Sequence, residues 1–109
     1  MSTTMRVVFS AILFLLTLVI VGWCVARQNT PYRIAFTSAF EESGKVNTDV
    51  CVVNSDGTGF RRLTNAPGED TMPAFSPDGN RIAFVSSRDE NRDVWVMDAN
   101  GNNQRRLTD

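Results

Sequence analysis

The latter part of this 109-residue chain restates what comes before it. Tyr32-Arg-Ile-Ala-Phe-Thr-Ser38 returns as Asn80-Arg-Ile-Ala-Phe-Val-Ser86, and Asp49-Val-Cys-Val-Val-Asn54 returns as Asp93-Val-Trp-Val-Met-Asp98. Ser55-Asp-Gly-Thr-Gly59 and Arg61-Arg-Leu-Thr64 return as Ala99-Asn-Gly-Asn-Asn103 and Arg105-Arg-Leu-Thr108. The first pair is offset by 48 residues and the others by 44. One segment accounts for the difference. Ala39 to Thr48 reads as a ten-residue loop, and its counterpart Ser87 to Arg92 has six residues. A unit of this length that recurs in order is a supersecondary building block, and such a block buries its apolar surface against its neighbours.

Each unit reads into short strands. In the second copy these are Thr71–Ser76, Arg81–Ser86, Asp93–Asp98 and Gln104–Thr108. In the first they are Arg33–Thr37, Asp49–Asn54 and Phe60–Leu63, so that copy lacks one strand. Turn chemistry separates them. Ser76-Pro-Asp-Gly79 has Pro second and Gly fourth, as a type I turn prefers. Asn54-Ser-Asp-Gly57 and Asp98-Ala-Asn-Gly101 set Asp-Gly and Asn-Gly between apolar strands, a hairpin signal. Alternation places Val94 and Val96 on one face of their strand, with Trp95 and Met97 on the other. Both faces are apolar, which suits a sheet held between neighbours. Pro73 has no N–H to give a ladder, so its strand belongs at a sheet edge.

These residues resemble a known family. Pro73-Ala-Phe-Ser-Pro-Asp-Gly-Asn-Arg-Ile-Ala-Phe84, then Asp93-Val-Trp-Val-Met-Asp98, then Arg105-Arg-Leu-Thr108 is similar to the TolB-like (WD-like) β-propeller repeat. The resemblance implies an all-β fold of about two four-stranded antiparallel blades. Blade 1 spans about 32–65 and lacks its inner strand, and blade 2 spans about 71–109. The resemblance also implies a non-enzymatic protein- or ligand-binding role in the bacterial cell envelope. A short linker precedes blade 1, where TolB itself carries an α/β domain. The resemblance is therefore carried over for the propeller alone. Propellers close with about four to eight blades, so the chain is expected to be part of a larger propeller. Assembly of several chains into one ring, or a free-standing two-blade unit, are the other accounts. The alternative function is the propeller portion of a prolyl oligopeptidase-like hydrolase whose catalytic domain lies elsewhere.

Ahead of the repeats lies Val7 to Ala26, 20 residues without a charge. As a helix it is about 30 Å long, the thickness of a bilayer's hydrocarbon core. Thirteen of these residues are Val, Ile, Leu or Phe. Residues 1–30 are therefore expected to form a hydrophobic helix, as a signal-anchor or a signal peptide, plus a short linker. The length of the run and Trp23 near its end favour an uncleaved transmembrane helix. Cys24 and Ala26 fit a signal peptide cut before Arg27. Either way, residues 31–109 are expected outside the cytoplasm, membrane-anchored or secreted, in the periplasm or cell envelope. The membrane, through this helix, is one expected partner. Other propeller blades or protein partners are the second.

Composition removes several functions. The chain has no histidine, so it holds neither a Ser-His-Asp nor a Cys-His arrangement nor a His-ligated metal. Its 11 Lys+Arg against 12 Asp+Glu give no basic surface for nucleic acid. No enzymatic activity and no cofactor are expected. Asp89-Glu-Asn91-Arg-Asp93 has the alternating oxygen ligands of a calcium loop, but position twelve is Asn100 and offers no bidentate carboxylate. Asp89, Asn91 and Asp93 are thus weak metal candidates, more readily explained as a solvated hairpin loop. Arg61-Arg62 and Arg105-Arg106 suggest an anion site or, more simply, stems covering apolar surface. Cys51 occupies the position of Trp95 and reads as a small buried apolar residue. Phe36, Phe75, Phe84 and Trp95 read as core between blades or as a ligand-stacking surface. The expected interaction surface is the inner strand of blade 2, at Met72, Pro73 and Phe75.

Overall fold

A computed structural model describes residues 31–109, and the N-terminal helix and its signal-anchor or signal-peptide role lie outside the described residues. Among the described residues, no helix is long and apolar enough to cross a membrane.

The described fold is all-β. Seven strands run in chain order: β1 (Arg33–Glu42), β2 (Lys45–Asn54), β3 (Arg61–Arg62), β4 (Asp70–Phe75), β5 (Arg81–Asp89), β6 (Asn91–Asp98) and β7 (Arg105–Arg106). They form a three-stranded sheet, β1-β2-β3, and a four-stranded sheet, β4-β5-β6-β7. Within each sheet every strand pairs antiparallel with its chain neighbour. Among the described residues, the strand missing from the first repeat is the counterpart of β4. Pro73 lies in β4, which is at a sheet edge as its missing N–H requires.

The three punctuating turns form as their residues dictate. The N–H of Gly79 donates to the carbonyl of Ser76, that of Gly57 to Asn54, and that of Gly101 to Asp98. All three glycines have positive φ, where a side chain would be strained.

Ala39 to Thr48 is not a loop. β1 and β2 stay paired from Arg33↔Asn54 out to Glu42↔Lys45, and only Ser43 and Gly44 connect them. Their φ values of 53° and 75° are those of a two-residue type I′ hairpin turn. The tip is held by backbone hydrogen bonds and carries exposed charged side chains, so apolar alternation does not mark it. In the second sheet the equivalent hairpin is shorter. A register shift between Ser86 and Asp89 and a positive φ at Glu90 close it.

The outer strands are shorter than the sequence suggests, at two residues each. The reason is a side chain that takes over from the ladder. The hydroxyl of Thr64 accepts the N–H of Val50 at 3.0 Å, and the hydroxyl of Thr108 accepts that of Val94 at 2.9 Å. The backbone hydrogen bond at that rung is replaced, and the strand ends there.

The two sheets share one core. Ile82, Phe84 and Met97 of the second sheet pack against Val50, Val52 and Leu63 of the first. Ala35, Phe75 and Trp95 close its margin. Residues paired across an antiparallel ladder share a face, so Ile82↔Met97 and Phe84↔Trp95 define the front of the second sheet. Ala35↔Val52 and Thr37↔Val50 define the back of the first. The contact is therefore front to back. Burying side chains of this size contributes roughly 1.5–3 kcal/mol each.

Candidate interaction surface

The structure places the inner strand as follows. Met72 of β4 is 72% exposed with φ of 54°, and a register shift lies between Thr71 and Ala74. A bulge of this kind re-aims side chains and interrupts pairing. Pro73 is half-buried. Phe75 is turned toward the core, and the guanidinium of Arg33 lies 5.0 Å from its ring centre. The three residues therefore do not form one open patch. Met72 is presented outward on the free edge of the sheet, with Ala74 exposed beside it, and Phe75 supports the strand from below. Chemically, this edge offers a thioether side chain and, beyond the Thr48↔Glu69 bridge at its start, backbone groups that no neighbouring strand uses among the described residues.

The start of β4 is pinned by a cluster around Arg88. Its Nη2 donates to Asp70 Oδ2 at 2.8 Å, its Nη1 to Gln104 Oε1 at 2.8 Å and its Nε to Ser86 Oγ at 2.8 Å. The guanidinium also lies 4.5 Å from the Trp95 ring centre. Asp70 is fully buried, so this pairing offsets the cost of removing its charge from water. The sequence reading missed this residue. Arg88 has no arginine counterpart, because Phe40 stands 48 positions before it.

Asp89, Asn91 and Asp93 do not converge. Asp93 is buried and accepts from the hydroxyl of Thr108 at 3.1 Å, while Asn91 and Asp89 are exposed. A cation already faces two of them: Arg106 Nη1 lies 3.6 Å from Asp93 and 4.0 Å from Asp89. Among the described residues, no group of three or more His, Cys, Asp or Glu could hold a metal ion.

The same arrangement stands in the first sheet, drawn tighter. Asp49 is fully buried and accepts from Thr64 Oγ1 at 3.2 Å and from Arg62 Nε at 2.9 Å. Asn47 also donates to it, and Glu42 pairs with the far side of Arg62. The ring of Phe40 lies 4.2 Å beneath that guanidinium. In each repeat an Asp, an Arg and a Thr thus tie the outer strand to the strand beside it. A signal was present in the sequence, because Asp and Thr recur 15 residues apart in both copies.

The paired arginines divide their work. Neighbours in a strand point to opposite faces. Arg62 and Arg106 turn to the aspartate of their own sheet, while Arg61 turns to the other sheet and donates to the carbonyl of Asn100 at 3.1 Å. Arg33 likewise donates to the carbonyl of Gly79. Gln104 returns a hydrogen bond to the carbonyl of Leu63 at 3.2 Å. The contact between the sheets is thus apolar at its centre and hydrogen-bonded at its rim.

Cys51 is a free, fully buried thiol. Burial pushes its pKa up, the neighbouring Asp49 carboxylate pushes it the same way, and Arg62 opposes both. A thiol of this kind is a poor nucleophile at neutral pH. Of the aromatic residues, Phe84 and Trp95 meet in the core with ring centres 6.5 Å apart. Phe36 lies on the opposite side of the first sheet, with its ring centre 6.2 Å from that of the exposed Phe60.

Comparison with known proteins places these features. Residues 21–109 match the family described as the TolB beta propeller domain. A protein TolB homolog from Chlorobium luteolum is 41% identical over 77 residues, which cover 71% of this chain and 16% of that protein. The Tol-Pal system protein TolB of Thioalkalivibrio sulfidiphilus is 31% identical over 75 residues, covering 69% of this chain and 17% of that protein. The solved structure of a putative TolB from Agrobacterium tumefaciens superposes with a TM-score of 0.57 at 28% identity, over 73% of this chain and 31% of that one. The chain thus spans less than a fifth of the length of these two curated relatives.

Proposed function

The chain belongs to the TolB β-propeller family, and from that premise we propose that it is a protein-binding propeller module working outside the cytoplasm as part of a larger ring of blades. Blade 1 is the three-stranded sheet, blade 2 the four-stranded one, and residues 1–30 deliver them across the membrane and anchor them there. The relative named as a Tol-Pal system protein supports protein partners. The uncharged run Val7 to Ala26 supports export.

One observation carries the binding role: the free edge of β4, with Met72 presented outward from a bulge. An edge strand with unused backbone groups is a template for a partner segment, and methionine adapts to varied apolar surfaces. The reading assigns no catalysis. The chain has no histidine, and Cys51 is buried with a raised pKa.

Photo-crosslinking in cells tests the binding role. A photoreactive residue replacing Met72 is expected to give one discrete adduct, and the same residue replacing Lys45, at the exposed hairpin tip, is expected to give none. Equal labelling from both positions, or none from Met72, overturns the binding role. Delivery is tested separately. A reporter active only outside the cytoplasm, fused after Asp109, is expected to be active, and a reporter active only in the cytoplasm is expected to be silent.

A further inference from the structure

We propose that Met72 is a reversible oxidation switch on the binding edge of β4: a peroxide converts its thioether to the sulfoxide, and the sulfoxide releases the bound partner segment. The inference rests on the binding role given to that edge, and it names how the edge is regulated.

The argument starts from where sulfur lies. Three of the described residues carry it. Cys51 is fully buried, Met97 is 1% exposed and Met72 is 72% exposed. Among the described residues, an oxidant in solution therefore meets one sulfur atom. Met97 packs in the shared core with Ile82 and Phe84, so its oxidation requires that the core open. Met72 has no place in that core, and an oxygen added to it leaves the two sheets packed. Cys51 does not compete for the oxidant, because burial and the Asp49 carboxylate both raise its pKa and keep it a thiol.

The backbone pays to present this side chain. Met72 sits at the bulge between Thr71 and Ala74 with φ of 54°, a left-handed conformation that is costly for a residue with a Cβ. The hydroxyl of Thr71 beside it is buried with no hydrogen-bond partner among the described residues. Two local costs thus fall on adjacent residues of the one strand with a free edge. Strain of this kind gathers at sites of function. Its effect here is to turn a flexible apolar side chain outward.

The chemistry is a two-electron oxidation. The Met72 sulfur attacks one oxygen of hydrogen peroxide. An S–O bond forms, the O–O bond breaks, and the proton on the transferred oxygen passes to the departing one, which leaves as water. Sulfur is oxidised and the peroxide is reduced. The product is polar and chiral, and it no longer adapts to an apolar surface. A sulfoxide reductase supplied with a thiol reductant reverses the step. Two thiols become a disulfide, the oxygen leaves as water and the thioether returns.

The experiment has two arms. In the first, the full 109-residue chain in a mild non-ionic detergent is treated with hydrogen peroxide, and peptide masses read each methionine separately. Met72 is expected to oxidise at least about tenfold faster than Met97, since access governs the rate. The β-sheet circular dichroism is expected to persist when Met72 is oxidised. In the second, a photoreactive residue replaces Ala74, which is exposed beside Met72. Its adduct in cells is expected to fall about fivefold or more after peroxide treatment. It is expected to return when permeabilised cells receive dithiothreitol and a pair of methionine sulfoxide reductases, one for each sulfoxide epimer. Met72→Leu removes the sulfur. Whatever its starting level, the adduct from that variant is expected to be the same before and after peroxide. Should that variant give no adduct, restoration by the reductases carries the test.

Several results overturn the proposal. One is oxidation of Met72 and Met97 at the same rate. Others are loss of the β-sheet signal on oxidation of Met72, and an adduct that the reductases do not restore. An adduct from Met72→Leu that falls as the parent's does places the oxidised group on the partner and also overturns it. An adduct from Ala74 that survives peroxide overturns the switch alone. Absence of that adduct before any peroxide is added overturns the binding role and the switch with it, so the two failures are distinguishable.

Discussion

Leu63 and Leu107 close the same Arg-Arg-Leu-Thr motif in two copies, yet Leu63 is 8% exposed and Leu107 is 49% exposed. Val50 is fully buried, while Val94, its counterpart, is 39% exposed. The two sheets share strand order, turns and the Asp–Arg–Thr tie. The difference is what lies against them. The motif specifies a sheet with two apolar faces, and burial is then conferred by the next sheet in the stack. Identical residues therefore carry different energies in the two halves of this chain.

Substitution of counterparts measures that difference most directly. Phe84→Ala removes a ring from the shared core and is expected to lower stability by about 3–5 kcal/mol. Phe36→Ala, on the opposite side of the first sheet and only half-buried, is expected to cost less than about 2 kcal/mol. Urea unfolding of the full chain at low protein concentration reads both. Equal losses would mean that the two faces are equally covered.

Leu63→Ala and Leu107→Ala repeat the comparison on the backs of the two sheets. The first is expected to cost about 2–4 kcal/mol through a cavity in the core. The second is expected to stay within about 1 kcal/mol, as for an exposed site.

The glycines sharpen the point. An added Cβ at Gly101 would lie 3.1 Å from the backbone carbonyl of Leu63, whereas at Gly57 it would meet nothing within 4 Å. Both have positive φ, so alanine is strained at either position by about 1 kcal/mol. Gly101→Ala is expected to exceed Gly57→Ala by a further ~1 kcal/mol, because backbone and not a flexible side chain blocks it. The same melts decide it.

The smallest expected effect is in acid. Asp56 accepts from the hydroxyl and N–H of Thr58, and Asp78 from the hydroxyl of Ser76 and the N–H of Asn80. These bonds hold both carboxyl groups below the ordinary aspartate value. A lowered native pKa contributes stability that is complete above the unfolded value and is lost as pH falls through the native one. Stability is therefore expected to decline from the ordinary aspartate range downward. Asp78→Asn and Asp56→Asn are each expected to flatten that decline slightly in melts recorded as a function of pH.

Much of this architecture was legible in the repeat. The offsets gave three strands and then four, Pro73 put β4 at an edge, and Ser76 to Gly79 formed the expected turn. The long β1–β2 hairpin was not legible. Its tip has Glu41, Glu42 and Lys45 where a buried strand would alternate, and Ser-Gly is a weaker turn signal than Asn-Gly. The division of labour between Arg61 and Arg62 was also hidden, since a doubled residue shows no face until strand alternation is applied. At the candidate site, the edge position followed from Pro73. The inward turn of Phe75 did not, because a bulge breaks the alternation that would have assigned it.

The ten-rung β1–β2 ladder bears on the order in which the chain folds. Only Ser43 and Gly44 separate its strands, and each later strand pairs with the one just before or after it. Hairpins of this kind zip in about 1–10 μs, and domains built from sequence-local contacts meet a low entropic barrier. The first sheet holds everything needed for its own ladder once Arg62 has been synthesised, before β4 exists. Docking of the second sheet is then the later event, so a slow phase in refolding is expected to follow substitutions in the shared core and to be insensitive to changes at the Ser43-Gly44 tip.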